Sequence, residues 1–140
     1  MTARDRRVDW PERMNAYIDE VMHRIGPGEE PDWGELDCAT FVSGAVEAIT
    51  GDDPMEGWPS YSTRKEALET LREHGAGDLA STLEQTFGEP VHSARARRGD
   101  IAWSGDNCGL VIGRRSLFLG DDGYSVVRTL DLEHAYPVGR

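Results

Sequence analysis

Leu36-Asp37-Cys38-Ala39-Thr40-Phe41-Val42-Ser43-Gly44-Ala45-Val46-Glu47-Ala48-Ile49-Thr50-Gly51 reads as one helix with both ends marked. Asp37 suits the N-cap, where a carboxylate accepts from the orphan amides of the first turn. Gly51 suits the position just past the end, where the chain usually needs φ > 0. Between them Phe41, Val42, Ala45, Val46 and Ile49 recur at helical spacing, so one face is buried. Cys38 then falls in the first turn, where free amides and the helix dipole favour a thiolate. A helix-opening cysteine is one geometry for a nucleophile. A small buried apolar residue is the competing reading, and the position alone leaves both open.

N-terminal to this helix, residues 10–25 form another. Pro11 suits its first position, and Met14, Tyr17, Ile18, Val21, Met22 and Ile25 make a core-facing stripe. Gly26-Pro27-Gly28 ends it, and an acidic loop with Glu29, Glu30 and Asp32 leads to Trp33-Gly34. His23, late in that helix, complements the dipole. C-terminal to the Cys38 helix, Asp52-Asp53-Pro54 reads as an Asx turn before proline. It lacks the alternating ligands of an EF-hand. Thr63-Arg64-Lys65-Glu66 is a capping box, opening a helix to about residue 74 that rests on Ala67, Leu68 and Leu71. His74 closes it. Another helix runs from about Asp78 to Phe87, on Leu79, Leu83 and Phe87.

Beyond Pro90 the period changes. Asp100–Trp103, Cys108–Ile112, Ser116–Leu119 and Tyr124–Arg128 are short β-rich runs. Gly105-Asp106-Asn107, Gly113-Arg114 and Asp121-Asp122-Gly123 separate them as turns. Helices first and an antiparallel β-meander second is an α+β layout, with the N-terminal helices packed on the C-terminal sheet. Arg95, Arg97 and Arg98, ahead of the first strand, read as a local ion-pairing patch.

At 140 residues and 38% hydrophobic content, the chain builds one core, not two. Residues 1–140 are therefore one domain. Fifteen basic against 26 acidic residues give a net charge of −11, which excludes general affinity for phosphate backbones and so nucleic-acid partners. No apolar run approaches the roughly 18 residues of a membrane span. Met1-Thr2-Ala3-Arg4-Asp5-Arg6-Arg7 has charge but no apolar stretch behind it, so no secretory signal is expected. Cys38 and Cys108 match no zinc spacing; no metal or cofactor is expected. A Cys38–Cys108 disulfide stays open, although nothing points to an oxidising compartment.

The order Asp37-Cys38 at a helix start, Arg98-Gly99-Asp100 before a strand, then Gly109-Leu110-Val111-Ile112-Gly113 resembles the NlpC-type branch of the papain-like cysteine peptidases. That family cuts peptide bonds in bacterial cell walls. The resemblance implies a papain-like NlpC-type fold, with Cys38 as nucleophile. The family's histidine, in a pattern like His-Val-Gly-Ile-Tyr-hydrophobic-Gly, falls on Asn107. A nearer likeness is to small proteins common in tailed bacteriophages and prophages. It is carried by Trp33-Gly34, Asp37-Cys38, Thr50-Gly51-Asp52-Asp53-Pro54, Tyr61-Ser62-Thr63, Arg98-Gly99-Asp100, Gly109, Gly113 and Tyr136-Pro137-Val138. The region of resemblance is 33–140, with the N-terminal helix and acidic loop, 1–32, outside it. It implies a component of the phage tail tip, made in the host cytoplasm and carried in the virion. Other tail-tip proteins are its implied partners, with peptidoglycan as a further one.

Acyl transfer by cysteine needs a thiolate, oxyanion donors and a proton for the leaving amine. The helix start supplies the first two. Asn107 does not ionise near neutral pH, and losing general acid–base catalysis costs about 10²–10⁴ in rate. His92, in the loop before the first strand, and His134, in the tail after the last, are weaker alternative bases. Three classes follow: a structural tail component on a catalytically degenerate peptidase fold, an active cell-wall peptidase aiding DNA entry, and a partner- or ligand-binding module using the former cleft. The mismatch at Asn107 favours the first.

Overall fold

The computed structural model describes residues 5–24, 36–120 and 123–139. Among them, four α-helices precede a five-stranded antiparallel sheet. Ile25, Gly26-Pro27-Gly28, the acidic loop, Trp33-Gly34 and Asp121-Asp122 lie outside the described residues.

The central helix is α2 (Cys38–Thr50). Asp37 Oδ1 accepts from the Thr40 amide at 2.9 Å, and the Thr40 hydroxyl accepts from the Asp37 amide at 2.7 Å. This reciprocal box satisfies two amides that the helix itself leaves free. At the other end Gly51, at φ 87°, sends its N–H to the Glu47 carbonyl at 2.8 Å. Phe41, Val42, Ala45, Val46 and Ile49 are all buried, as their spacing requires.

The first helix, α1 (Trp10–Arg24), lies against α2. Arg13 Nε donates to the Ala48 carbonyl at 2.6 Å and the Tyr17 hydroxyl to the Phe41 carbonyl at 2.7 Å. Gly44 permits this approach: a Cβ there would sit 2.3 Å from the Tyr17 hydroxyl oxygen. Met14 and Val21 are buried, and Tyr17 and Ile18 pack partly buried on the core. Met22 is not part of the stripe, being 43% exposed. It lies about 80° round the helix from Met14, beyond the narrow face that α2 covers.

Next come α3 (Arg64–His74) and α4 (Leu79–Phe87). Thr63 caps α3 by accepting from the Glu66 amide at 3.1 Å. Glu66 returns a carboxylate oxygen to the Ser62 amide at 3.3 Å, one residue earlier than the usual box. The expected apolar face of α3 is corrected: Leu68 is 49% exposed, and Ala67 and Leu71 are half-buried. That face lines an open cleft instead of the core. Asp78 caps α4, accepting from the Ser81 amide at 2.7 Å, and Leu83 is buried beneath.

The strands are β1 (Ile101–Ser104), β2 (Asn107–Val111), β3 (Arg115–Gly120), β4 (Gly123–Arg128) and β5 (His134–Tyr136), in the order β4-β3-β2-β1-β5. Gly105 and Asp106, at φ 58° and 60°, turn β1 into β2, the twist that a two-residue hairpin needs. The fifth strand is a correction: His134 opens β5, opposite Trp103, and is not in a tail. Three residues carry too little period to announce a strand. The edge of β1 creates it.

Ile101, Trp103, Cys108, Leu110, Leu117 and Leu119 join the core beneath α2, while Ala102, Val111, Phe118 and Leu132 form a smaller cluster. Gly109 faces Phe118 across the ladder. A Cβ there would lie 2.5 Å from the Leu117 carbonyl oxygen and 2.8 Å from the Phe118 ring.

Arg98-Gly99-Asp100 is a lock. Asp100 is fully buried and accepts from the Arg97 amide at 2.8 Å, the Val138 amide at 3.1 Å and Arg6 Nη2 at 3.1 Å. Arg6 also donates to the Val138 carbonyl at 2.8 Å and the Arg98 carbonyl at 2.6 Å, with Trp10 beneath its guanidinium at 4.4 Å. Arg98, placed by sequence in an ion-pairing patch, donates to neutral acceptors, the Ile112 carbonyl and Asn15.

Candidate functional site

A cleft of about 910 Å³ opens between the start of α2, helices α3 and α4, and the β1–β2 hairpin. Cys38 reaches it as the first residue of α2, half-buried, and Cys108 reaches it from β2, fully buried. Both are free thiols. The Cys108 thiol donates to the Cys38 carbonyl at 3.6 Å. That bond sets the Cys108 thiol beside Cys38 where the helix start rests on the sheet.

That contact sets their acidity. Donation from Cys108 holds the Cys38 thiol below its ordinary range. Burial and the Asp37 carboxylate push Cys38 upward, and the amides of Ala39 and Cys38 itself push it down. The helix start is therefore a weaker activator than its free amides suggest, because the capping carboxylate opposes them. Cys108 moves the other way: its hydrogen bond to Cys38 and its burial hold it well above the usual thiol range.

Asp37 is buried, and Tyr61 donates its hydroxyl to Asp37 Oδ2 at 2.7 Å. Burial first, then the Asp37 charge, push the Tyr61 phenol upward, so it stays protonated. Tyr61 and Cys108 were not site candidates from sequence alone. In sequence, Tyr61 has no signal beyond the run Tyr61-Ser62-Thr63, and Cys108 none beyond being a second cysteine.

Asn107 does line the cleft, half-buried at the mouth of the hairpin. Its Oδ1 accepts from the Cys108 amide at 2.9 Å. Successive strand residues point to opposite faces, and Cys108 is the one packed beneath α2. His92 is elsewhere. It is exposed, and its Nδ1 accepts from the Ala94 amide at 3.0 Å, capping a short 3₁₀ turn over Ser93–Arg95. His134 stacks on Trp103, ring centres 6.2 Å apart, with Nε2 3.2 Å from the Tyr136 hydroxyl. Trp103 pairs with both Cys108 and His134, so the tryptophan strand stands between that imidazole and the thiols. None of the chain's four histidines lines the cleft.

The remaining walls are largely apolar, with Met55, Trp58, Leu68, Leu71, Leu79 and Phe87 among them. Together these groups can hold a nucleophilic thiol beside bound apolar side chains. They bring no imidazole to protonate a departing amine. Asp53 accepts from the Met55 amide at 2.9 Å, the Asx turn that the sequence suggests. Among the described residues no three His, Cys, Asp or Glu side chains are placed to hold a metal ion, and no helix is long and apolar enough to cross a membrane.

No curated protein and no solved structure matches the chain. A family described as Domain of unknown function (DUF6950) matches residues 5–138, and the chain belongs to that family.

Proposed function

We propose that this chain is a structural component of the distal tail of a tailed bacteriophage, on a catalytically degenerate NlpC-type peptidase fold. The observation that carries the loss of catalysis is Cys38 at the start of α2 in a cleft that no histidine lines. A helix-opening cysteine packed on an antiparallel sheet supports the NlpC-type reading. The place in the tail rests on the resemblance carried by Asp37-Cys38, Tyr61-Ser62-Thr63, Arg98-Gly99-Asp100 and Gly109. Arg98-Gly99-Asp100 and Gly109 have structural duties here, at the buried lock and beneath Phe118, which fits retention of a scaffold after loss of its chemistry. Other tail proteins are the proposed partners, and synthesis in the host cytoplasm precedes incorporation into the virion.

The test uses purified particles of the encoding phage and the purified chain. The chain is expected in the particles, Cys38→Ser particles are expected to assemble, and hydrolysis of cell-wall peptides is expected near background. Asn107→His should raise that hydrolysis if the ring reaches the Cys38 sulfur. Robust wild-type turnover, abolished by His134→Ala or His92→Ala, would establish the working peptidase and sink the structural reading.

A further inference from the structure

The Cys108 thiol lies against the Cys38 backbone where the start of α2 rests on β2, both residues line the cleft, and nothing in the proposed function uses Cys108. The chain has no other cysteine. Their exposure is unequal: Cys38 is half-buried on the wall of the cleft, while Cys108 is fully buried behind it. An incoming reagent therefore meets Cys38 first. Cys108 already directs its S–H at the carbonyl of Cys38, 3.6 Å away. The cleft, at about 910 Å³, has room for a peptide-sized molecule.

We propose that Cys38 and Cys108 are an attacking and resolving pair that takes a small disulfide in the cleft and closes to an intramolecular disulfide. The Cys38 thiolate attacks one sulfur of the incoming disulfide. A Cys38–S–S bond forms, the reagent's own S–S bond breaks, and one small thiolate leaves. Cys108 then gives up its proton and attacks the Cys38 sulfur, and the second small thiolate departs. The protein loses two electrons and two protons, and the small disulfide is reduced to two thiols. The new bond ties the first turn of α2 to β2 and removes the half-buried thiol from the cleft. This inference rests on the bond from the Cys108 thiol to the Cys38 carbonyl and on the cleft they share, and holds whether or not the chain is a tail component.

The experiment exposes the full native chain to oxidised glutathione, followed by acid quenching, intact mass and peptide mapping. Wild type should lose both free thiols, keep no glutathione, and yield a linked peptide pair containing Cys38 and Cys108. Cys108→Ala should stop at one glutathione on Cys38. Cys38→Ser should leave Cys108 unmodified until the chain is denatured. A wild-type product that retains glutathione on Cys38 without closing would overturn the proposal. So would two thiols that both survive in the native state. Both decisive outcomes are read on wild type, so a variant that fails to fold does not rescue the idea.

Discussion

The Tyr61 hydroxyl donates 2.7 Å to the carboxylate of Asp37, the residue that caps the cysteine-bearing helix. A loop side chain thereby holds the cap in place from outside the helix. Tyr61→Phe removes this buried bond to a charged group and should cost about 1.5–3 kcal/mol. Chemical denaturation measures it, and a loss below a few tenths would mean that the cap stands without Tyr61.

Gly44 gives a prediction whose sign matters more than its size. In a helix interior, glycine to alanine ordinarily gains about 1 kcal/mol. Here the added methyl would sit 2.3 Å from the Tyr17 hydroxyl, which is bonded to the Phe41 carbonyl. Forcing Tyr17 aside should cost about 1–3 kcal/mol. Gly44→Ala should therefore be destabilising on balance. An increase in melting temperature would mean that α1 crosses α2 elsewhere.

Arg6→Ala breaks one partner from a buried ion pair with Asp100, whose side chain is 0% exposed. Loss of one member of such a pair costs about 3–5 kcal/mol. Urea unfolding of the variant checks this. A neutral result would return the lock to ordinary surface chemistry.

Cys38 should be alkylated by iodoacetamide at a pH below that of a free cysteine, because the Cys108 hydrogen bond holds its thiol low. The thiolate is the reacting form. Its fraction grows as pH rises through the pKa, so a lowered value moves the rate profile toward acid. Cys108→Ala removes the donor and should move the profile back toward alkali. Native Cys108, held high, should stay unlabelled over the same range. Coincidence of the wild-type profile with that of a free thiol would refute the contact.

The central helix was legible because its signals are local: Asp37 and Gly51 mark the ends within one turn of what they cap. The reciprocal role of Thr40 lies in the same turn but needs the side-chain geometry. Periodicity overstated what helices bury. Met22 and Leu68 fall on apolar stripes yet stay exposed, since a stripe says nothing about the width of its neighbour. Contacts set by distant chain segments were not legible. β5 exists through pairing with β1, and the meeting of Cys38 with Cys108 requires α2 to settle on β2. Asn107, which the resemblance puts at the family's histidine position, lines the cleft, but the alternation of the strand gives Cys108 the face beneath the helix.

The bond from Arg6 to the Val138 carbonyl joins residues 132 positions apart. Closing so long a loop carries a large entropic cost unless the intervening chain is already ordered. The lock is therefore expected to close late in folding, after α1, α2 and the sheet have shortened the path between its halves. Contacts absent from the folding transition state leave the folding rate nearly unchanged and set the unfolding rate instead. Arg6 and Asp100 then act on the lifetime of the folded chain, and Arg6→Ala should express its cost as faster unfolding.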